Sequence, residues 1–368
     1  MSNPSDIAHL RAALALARRG LGSVWPNPAV GCVIVRDGEV VGRGWTQAGG
    51  RPHGETEALA RAGERARGAT AYVSLEPCCH WGKTPPCADA LAAAGIARVV
   101  VPIEDPDPRV AGKGIASLRE AGIAVETGLL AEEAAEVNAG FLSRLAQGRP
   151  LVTLKLATTL DGRIATSTGE SRWITGAAAR TRAHLLRATN DAVMIGSNTA
   201  LADDPLLTVR LGGLEERSPV RIVVDGGLRV PLTAKLVAQA RETPTWFIVR
   251  EGVDDLRRRA FAECGVELIE VAPGPTGEVD LVLAMRALGH RGLTRLLVEG
   301  GGGLAAALFA ALLVDRIAWF RAASVVGGDG RPAIAAFGVA ALADAPRFER
   351  LSLEAVGEDV LETLRRPA

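Results

Sequence analysis

The chain has 368 residues, 48% hydrophobic and 23% charged, with Lys and Arg (42) balancing Asp and Glu (42). At roughly 150 residues per domain that length implies two domains or at most three, and the composition excludes a disordered chain. Zero net charge supplies no field to draw the protein onto nucleic-acid phosphates or anionic membranes, so neither is an expected partner.

From Ser5 to Arg19, the apolar residues Ile7, Leu10, Leu14 and Ala17 recur at helical spacing behind a Ser/Asp start signal. This stretch has arginines and no continuous apolar segment, and no later run approaches the about 18 apolar residues of a membrane span, so a cytoplasmic chain is expected. Ala29 to Val35 and Glu39 to Trp45 are β-rich and joined across Arg36-Asp37-Gly38, a hairpin pattern. Then follow a helix over Glu55–Arg67, a strand over Ala69–Leu75, a helix over Ala88–Ala94 and a strand over Arg98–Pro102. A helix over Lys113–Ala121 and a strand over Ile123–Glu126 complete the alternation of an α/β layered domain.

A helix over Ala131–Ala146 runs into the stop signal Gly148-Arg149-Pro150, which places the domain boundary between residues 147 and 148. The second half is again α/β. Its strands are expected from Leu151 to Leu156 and near Ala192–Gly196, Val220–Asp225, Thr245–Val249, Val266–Val271, Arg295–Glu299 and Asp315–Phe320, with helices between several of them.

Three of the five cysteines, Cys78, Cys79 and Cys87, fall within ten residues, which is metal or catalytic usage and not a disulfide framework. His53-Gly54-Glu55 stands where a loop enters a helix, and Pro77-Cys78 and Pro86-Cys87 follow with eight residues between the cysteines. Imidazole and thiolate are preferred zinc ligands, and His53, Cys78 and Cys87 as the three protein ligands leave the fourth tetrahedral position for water. Glu55 is then placed to carry a proton from that water to a leaving amine, the parts a hydrolytic deaminase requires. Two alternatives stand beside this: a closed zinc knot with Cys79 or His80 as fourth ligand, and a base-editing deaminase of nucleic acid. Glu55 argues against the first, and the long cysteine spacing and zero net charge argue against the second. Cys32, mid-strand, reads as a core residue.

The residues Pro26-Asn27-Pro28-Ala29-Val30-Gly31-Cys32, His53-x-Glu55 and Leu75 to Cys87 together resemble the bifunctional riboflavin-biosynthesis deaminase/reductase family. So do Leu154-Lys155-Leu156, Leu160-Asp161-Gly162-Arg163, Gly169 to Thr175, Asp203 to Arg210 and Val298-Glu299-Gly300-Gly301 in the second half. The resemblance implies a cytidine-deaminase-like three-layer domain followed by a dihydrofolate-reductase-like α/β domain. The implied activities are zinc-dependent deamination of a phosphoribosylaminopyrimidine and NADPH-dependent reduction of its ribosyl group to ribityl.

By the same resemblance, Asn27 and Lys83 line the deaminase pocket. Ser171, Arg187, Arg210 and Glu299 contact the reductase substrate, the arginines suiting its phosphate. Ala157, Trp173, Thr199, Asp203 and Gly301, Gly302, Gly303 and Leu304 contact the cofactor, and a homodimer through the second domain is implied. Taken without the resemblance, the Gly300 to Gly303 turn reads equally as a flexible connection, the arginines as solvated surface groups, and Trp173 and Trp319 as core aromatics. The chain departs from the family pattern at Thr46, Gly54, Glu57 and Asp107. It departs again at Gly226, where a serine or threonine able to reach the added phosphate of NADPH is frequent.

Overall fold

The computed structural model describes residues 4–82 and 85–367. The chain divides into two compact units between Gly148 and Arg149.

In the first unit the chain order is α1 (Pro4–Ala17), β1 (Gly31–Arg36), β2 (Glu39–Trp45), α2 (Gly54–Ala62), β3 (Thr70–Val73), α3 (Cys87–Ala93), β4 (Arg98–Val101), α4 (Lys113–Glu120), β5 (Ala124–Thr127), α5 (Ala131–Val137) and α6 (Ala139–Gln147). The strands form one sheet in the order β2-β1-β3-β4-β5, with β1 antiparallel to both neighbours and β3, β4 and β5 parallel. Successive residues of β1 face opposite sides. Cys32 and Ile34 pack with Ala58 of α2, Leu91 of α3 and Leu118 of α4, while Val33 and Val35 pack with Leu10 and Ala13 of α1. Burial on both faces explains the uninterrupted apolar run and gives three layers, helix, sheet and helix.

Two expected helices are shorter than the sequence suggested. The one expected over 55–67 ends at Ala62 and continues as a 3₁₀ turn, Gly63–Ala66. The one expected over 131–146 is broken at Asn138, whose side chain accepts from the Ala29 N–H at 3.0 Å and donates to the Ala29 carbonyl at 3.2 Å. The Asn138 backbone still bonds Ala134 and Leu142, at 3.2 and 2.9 Å, so the interruption is a local bend at this residue and not a loss of its ladder bonds.

The second unit runs β6 (Leu151–Thr158), β7 (Arg163–Ala165), α7 (Ala177–Ala188), β8 (Ala192–Gly196), α8 (Ser197–Asp203), β9 (Val220–Val224), α9 (Lys235–Ala238), β10 (Thr245–Arg250), α10 (Asp255–Glu263), β11 (Glu267–Val271), α11 (Leu281–His290), β12 (Arg295–Val298), α12 (Gly302–Ala310), β13 (Arg316–Arg321), β14 (Arg331–Pro332), β15 (Glu349–Val356) and β16 (Asp359–Arg365). Its main sheet has the order β11-β10-β9-β8-β12-β6-β13-β16-β15. The first seven are parallel, and the hairpin β15–β16 closes one edge antiparallel. Ala192, Val193, Met194 and Ile195 of β8 are all fully buried, the mark of a parallel strand covered by helices on both sides. Functional loops in such a sheet gather beyond the carboxyl ends of the parallel strands.

Candidate active site

Two short helices begin at the same place in the first unit. His53 is the N-cap residue of α2 in extended conformation, Glu55 lies in the first turn of α2, and Cys87 is the first residue of α3. Cys78 comes from the loop after β3. Gly54 between the two α2 residues is required by close packing: a Cβ there would stand 2.8 Å from the Val30 carbonyl oxygen and 3.2 Å from Trp45 Cα. The departure from alanine at this position therefore reflects how tightly α2 seats on β2.

His53 Nδ1 lies 3.3 Å from Cys87 Sγ and 3.6 Å from Cys78 Sγ, and the donor atoms of the three residues lie within 4.8 Å of one another. A tetrahedral zinc with ordinary bond lengths needs N···S separations of roughly 3.5 Å and S···S of roughly 3.8 Å. The donor set therefore fits zinc. Cys79 and His80 stand outside the cluster, so a closed four-ligand knot is not formed by either. The hydrogen bond from Cys87, joined by that with His53, draws the Cys78 thiol down to about 4 against the effect of burial. Glu55 is 2% exposed, and among the described residues its Oε2 has no hydrogen-bond partner. Burial lifts its carboxyl to about 7, with the nearby His53 opposing. A carboxyl that titrates near neutrality can both take and return a proton.

These residues open onto a cavity of ≈ 880 Å³ lined also by Asn27, Thr46, His80, Asp105, Asp107 and Arg109. Thr46 spends its hydroxyl on the Val30 backbone, accepting from the N–H at 3.0 Å. Glu57, the third departure, pairs with Arg61 at 3.0 Å and stays out of the cavity lining. Asp107 holds the Arg109 guanidinium with contacts of 2.5 to 3.1 Å. Glu76 organises this rim by accepting backbone N–H bonds from Asp105, Gly112 and Ile115, each at 3.0 Å. Sequence reasoning does not single out Glu76, Asp105 or Arg109; the run of acids at 104, 105 and 107 among prolines is the signal that could have found them. Lys83, expected in this pocket, lies outside the described residues.

In the second unit, Ala157, Ser171, Trp173, Arg187, Thr199, Asp203, Arg210 and Glu299 all line one cleft of ≈ 670 Å³. Trp173 is 70% exposed and carries the Arg180 guanidinium 4.5 Å from its ring centre, so it is a cleft residue and not a core aromatic. Arg187 is committed to its neighbours: its fork meets both Glu299 oxygens, at 2.5 and 2.9 Å, and Nη1 donates to the Thr208 carbonyl at 2.9 Å. Lys155 Nζ stands 3.9 Å from Glu299. Among the described residues nothing holds the Arg210 guanidinium, which leaves it available to a ligand anion.

The Gly301 to Leu304 segment lies apart from the cleft lining but is tied to it by the Gly301 N–H donating to Thr199 Oγ1 at 3.1 Å. Helix α12 starts there with no side-chain cap, so its first N–H groups are open to an anion. The three glycines differ in why they are small. A Cβ on Gly302 would stand 2.7 Å from the Pro332 carbonyl oxygen, one on Gly301 2.9 Å from Thr199 Oγ1, and one on Gly303 would meet nothing within 4 Å. Of the three, only Gly303 leaves open space where a side chain would stand.

Fold and clefts together define a zinc-binding deaminase domain followed by a reductase domain. Residues 4–103 match the cytidine and deoxycytidylate deaminase zinc-binding region, and residues 150–361 match the RibD C-terminal domain. The riboflavin biosynthesis protein RibD of Escherichia coli strain K12 is 46% identical over 366 residues, covering 96% of this chain and 98% of that protein. The structure of Acinetobacter baumannii RibD (form 2) superposes with a TM-score of 0.87 at 38% identity over 99% of both chains. A diaminohydroxyphosphoribosylaminopyrimidine deaminase/5-amino-6-(5-phosphoribosylamino)uracil reductase from Thermotoga maritima does so with a TM-score of 0.85 at 32% identity, again over 99% of both. The chain belongs to the RibD family of riboflavin biosynthesis and combines deaminase and reductase activities. Among the described residues no helix is long and apolar enough to cross a membrane.

Proposed function

We propose that residues 1–147 deaminate 2,5-diamino-6-(5-phosphoribosylamino)pyrimidin-4(3H)-one and residues 148–368 reduce the resulting 5-amino-6-(5-phosphoribosylamino)uracil to its ribityl form. The observation that carries the first half is the buried Glu55 carboxyl, whose Oε2 has no partner among the described residues, beside converging His53, Cys78 and Cys87.

Zinc, when bound by those three residues, supplies the Lewis acidity that makes water nucleophilic at neutral pH. Glu55 takes the proton of the attacking water and hands it to the departing amine, a role suited to a carboxyl near 7. Asn27 orients the pyrimidine, while Asp107 presents Arg109 to the phosphoribosyl end. Lys83 belongs to the same pocket in this reading.

In the second unit NADPH supplies the hydride. Ala157, Trp173, Thr199 and Asp203 hold its nicotinamide half, and the backbone N–H groups of Gly302, Gly303 and Leu304 take its pyrophosphate, with the turn pinned by the Gly301 N–H on Thr199. Arg187 and Lys155 fix the Glu299 carboxylate toward the ribosyl hydroxyls, Ser171 adds a hydroxyl contact, and Arg210 grips the 5-phosphate. The reading includes a pair of copies joined through the second unit, whose edge strand β15 exposes Leu351 and Leu353. It places the enzyme in the cytoplasm, where five free cysteines stay reduced.

The test is incubation of the full chain with the diaminopyrimidine ribotide, with and without NADPH, followed by mass spectrometry. Deamination adds about one mass unit and reduction about two more. Substrate recovered unchanged in both arms would refute the reading.

A further inference from the structure

Helix α7 turns one face to the reductase cleft: Arg180, Ala183, His184 and Arg187, spaced i, i+3, i+4 and i+7, all line it. The segment from Asp204 to Arg210 contributes to the same cleft. It does not hold its shape by itself. Asp204 and Leu207 both have left-handed backbones, with φ of 39° and 56°, a conformation that residues other than glycine keep only where their surroundings impose it.

The imposing groups are hydrogen bonds along the segment. Asp204 Oδ1 accepts from the Lys235 N–H at 2.8 Å, Arg187 Nη1 donates to the Thr208 carbonyl at 2.9 Å, and the Val209 N–H donates to Ser218 Oγ at 3.0 Å. One more falls on Arg210 itself, whose N–H donates to His184 Nδ1 at 3.3 Å.

A ring nitrogen that accepts a hydrogen bond carries no proton, so this contact requires a neutral imidazole with its proton on Nε2. Burial, with the charges of Arg187 and Arg210 behind it, holds the titration of His184 below its ordinary value of 6.5, while Glu299 and the Thr208 carbonyl oppose. The neutral ring is therefore the form present at neutral pH. Because nothing among the described residues holds the Arg210 guanidinium, its direction is set at the backbone. The bond to His184 is made at the N–H next to the Cα from which that side chain leaves.

We infer that His184 is a positioning residue for the reduction: Nδ1 fixes the Arg210 backbone and so aims the guanidinium at the 5-phosphate of the substrate. The inference rests on the reading of Arg210 as the phosphate grip.

Steady-state NADPH oxidation by the full chain on 5-amino-6-(5-phosphoribosylamino)uracil tests it. His184→Phe keeps a planar ring and drops both nitrogens. The KM for the ribosyl substrate should then rise about three- to tenfold, the worth of one hydrogen bond, with kcat within about twofold. His184→Asn places an acceptor where Nδ1 stood and should keep KM within about twofold of the unaltered chain. His184→Gln, whose amide lies one bond further out, should not. In an Arg210→Ala background, His184→Phe should cost nothing more, since the group it aims is gone. An unchanged KM in His184→Phe, equal KM values for the Asn and Gln variants, or full additivity with Arg210→Ala would overturn the role. If His184→Phe fails to fold, the comparison of Asn with Gln decides by itself. A KM unmoved by Arg210→Ala alone would instead bring down the phosphate reading on which the inference rests.

Discussion

Arg187 and Glu299 form a bidentate ion pair, Nε to Oε1 at 2.5 Å and Nη2 to Oε2 at 2.9 Å, at the floor of the reductase cleft. Burial alone would push the Glu299 carboxyl up. The charges of Arg187 and then Lys155 outweigh it and bring the group down to about 2. The pair joins α7 to the end of β12, elements whose relative position shapes the cleft.

Removing one partner of such a pair strands the other charges, and Glu299→Gln is expected to cost about 3 kcal/mol of stability at neutral pH. Because the folded carboxyl titrates below its ordinary value of 4.5, its contribution is complete above that pH and is lost as pH falls toward about 2. Urea midpoints of variant and unaltered chain should therefore converge through this acid window. A gap that stayed constant with pH would contradict the assignment.

Gly302 and Gly303 should respond differently to an added methyl. In Gly302→Ala the new atom meets the Pro332 carbonyl at 2.7 Å, an overpacking that costs about 1–3 kcal/mol and lowers the melting temperature. Gly303→Ala points into open space and should leave the melting temperature in place while weakening NADPH, read by fluorescence titration.

For Glu55→Gln, the loss is one of proton transfer only. Ammonia release should fall about 10²- to 10⁴-fold, while zinc content and NADPH oxidation on already deaminated substrate persist. Ammonia release at the unaltered rate would remove Glu55 from the chemistry.

Arg210→Ala takes away a cleft guanidinium that nothing holds among the described residues. A charge-assisted contact to phosphate is worth about 1.5–3 kcal/mol, so the KM for the ribosyl substrate should rise about ten- to a hundredfold with kcat little changed. A change confined to kcat would place Arg210 elsewhere in the reaction.

Much of this arrangement is legible in the amino-acid sequence, for reasons local to the chain. Strands such as Ala192–Gly196 appear as short apolar runs, and His53, Glu55 and Cys87 stand at helix starts that the sequence marks. What escapes it depends on partners far along the chain. Asn138 ties the α5–α6 bend to Ala29 through its side chain, and Glu76 builds the cavity rim by collecting the N–H groups of Asp105, Gly112 and Ile115. The hairpin β15–β16 leaves no clear sequence signal because β15 is an edge strand exposed along most of its length, with no buried face to impose a period. The commitment of Arg187 to Glu299, and the space Arg250 takes beside Gly226, likewise arise only where separate strands and helices meet.

One imidazole and two thiolates, as the protein ligands of a zinc, leave it a position for water. Zinc K-edge absorption of the purified full chain reads that set directly. The expected spectrum fits one zinc with two sulfurs at about 2.3 Å, one nitrogen and one light oxygen ligand at about 2.0 to 2.2 Å, and loses a sulfur in Cys78→Ser. A zinc enclosed by four protein side chains, or a chain with no stoichiometric zinc, would contradict it.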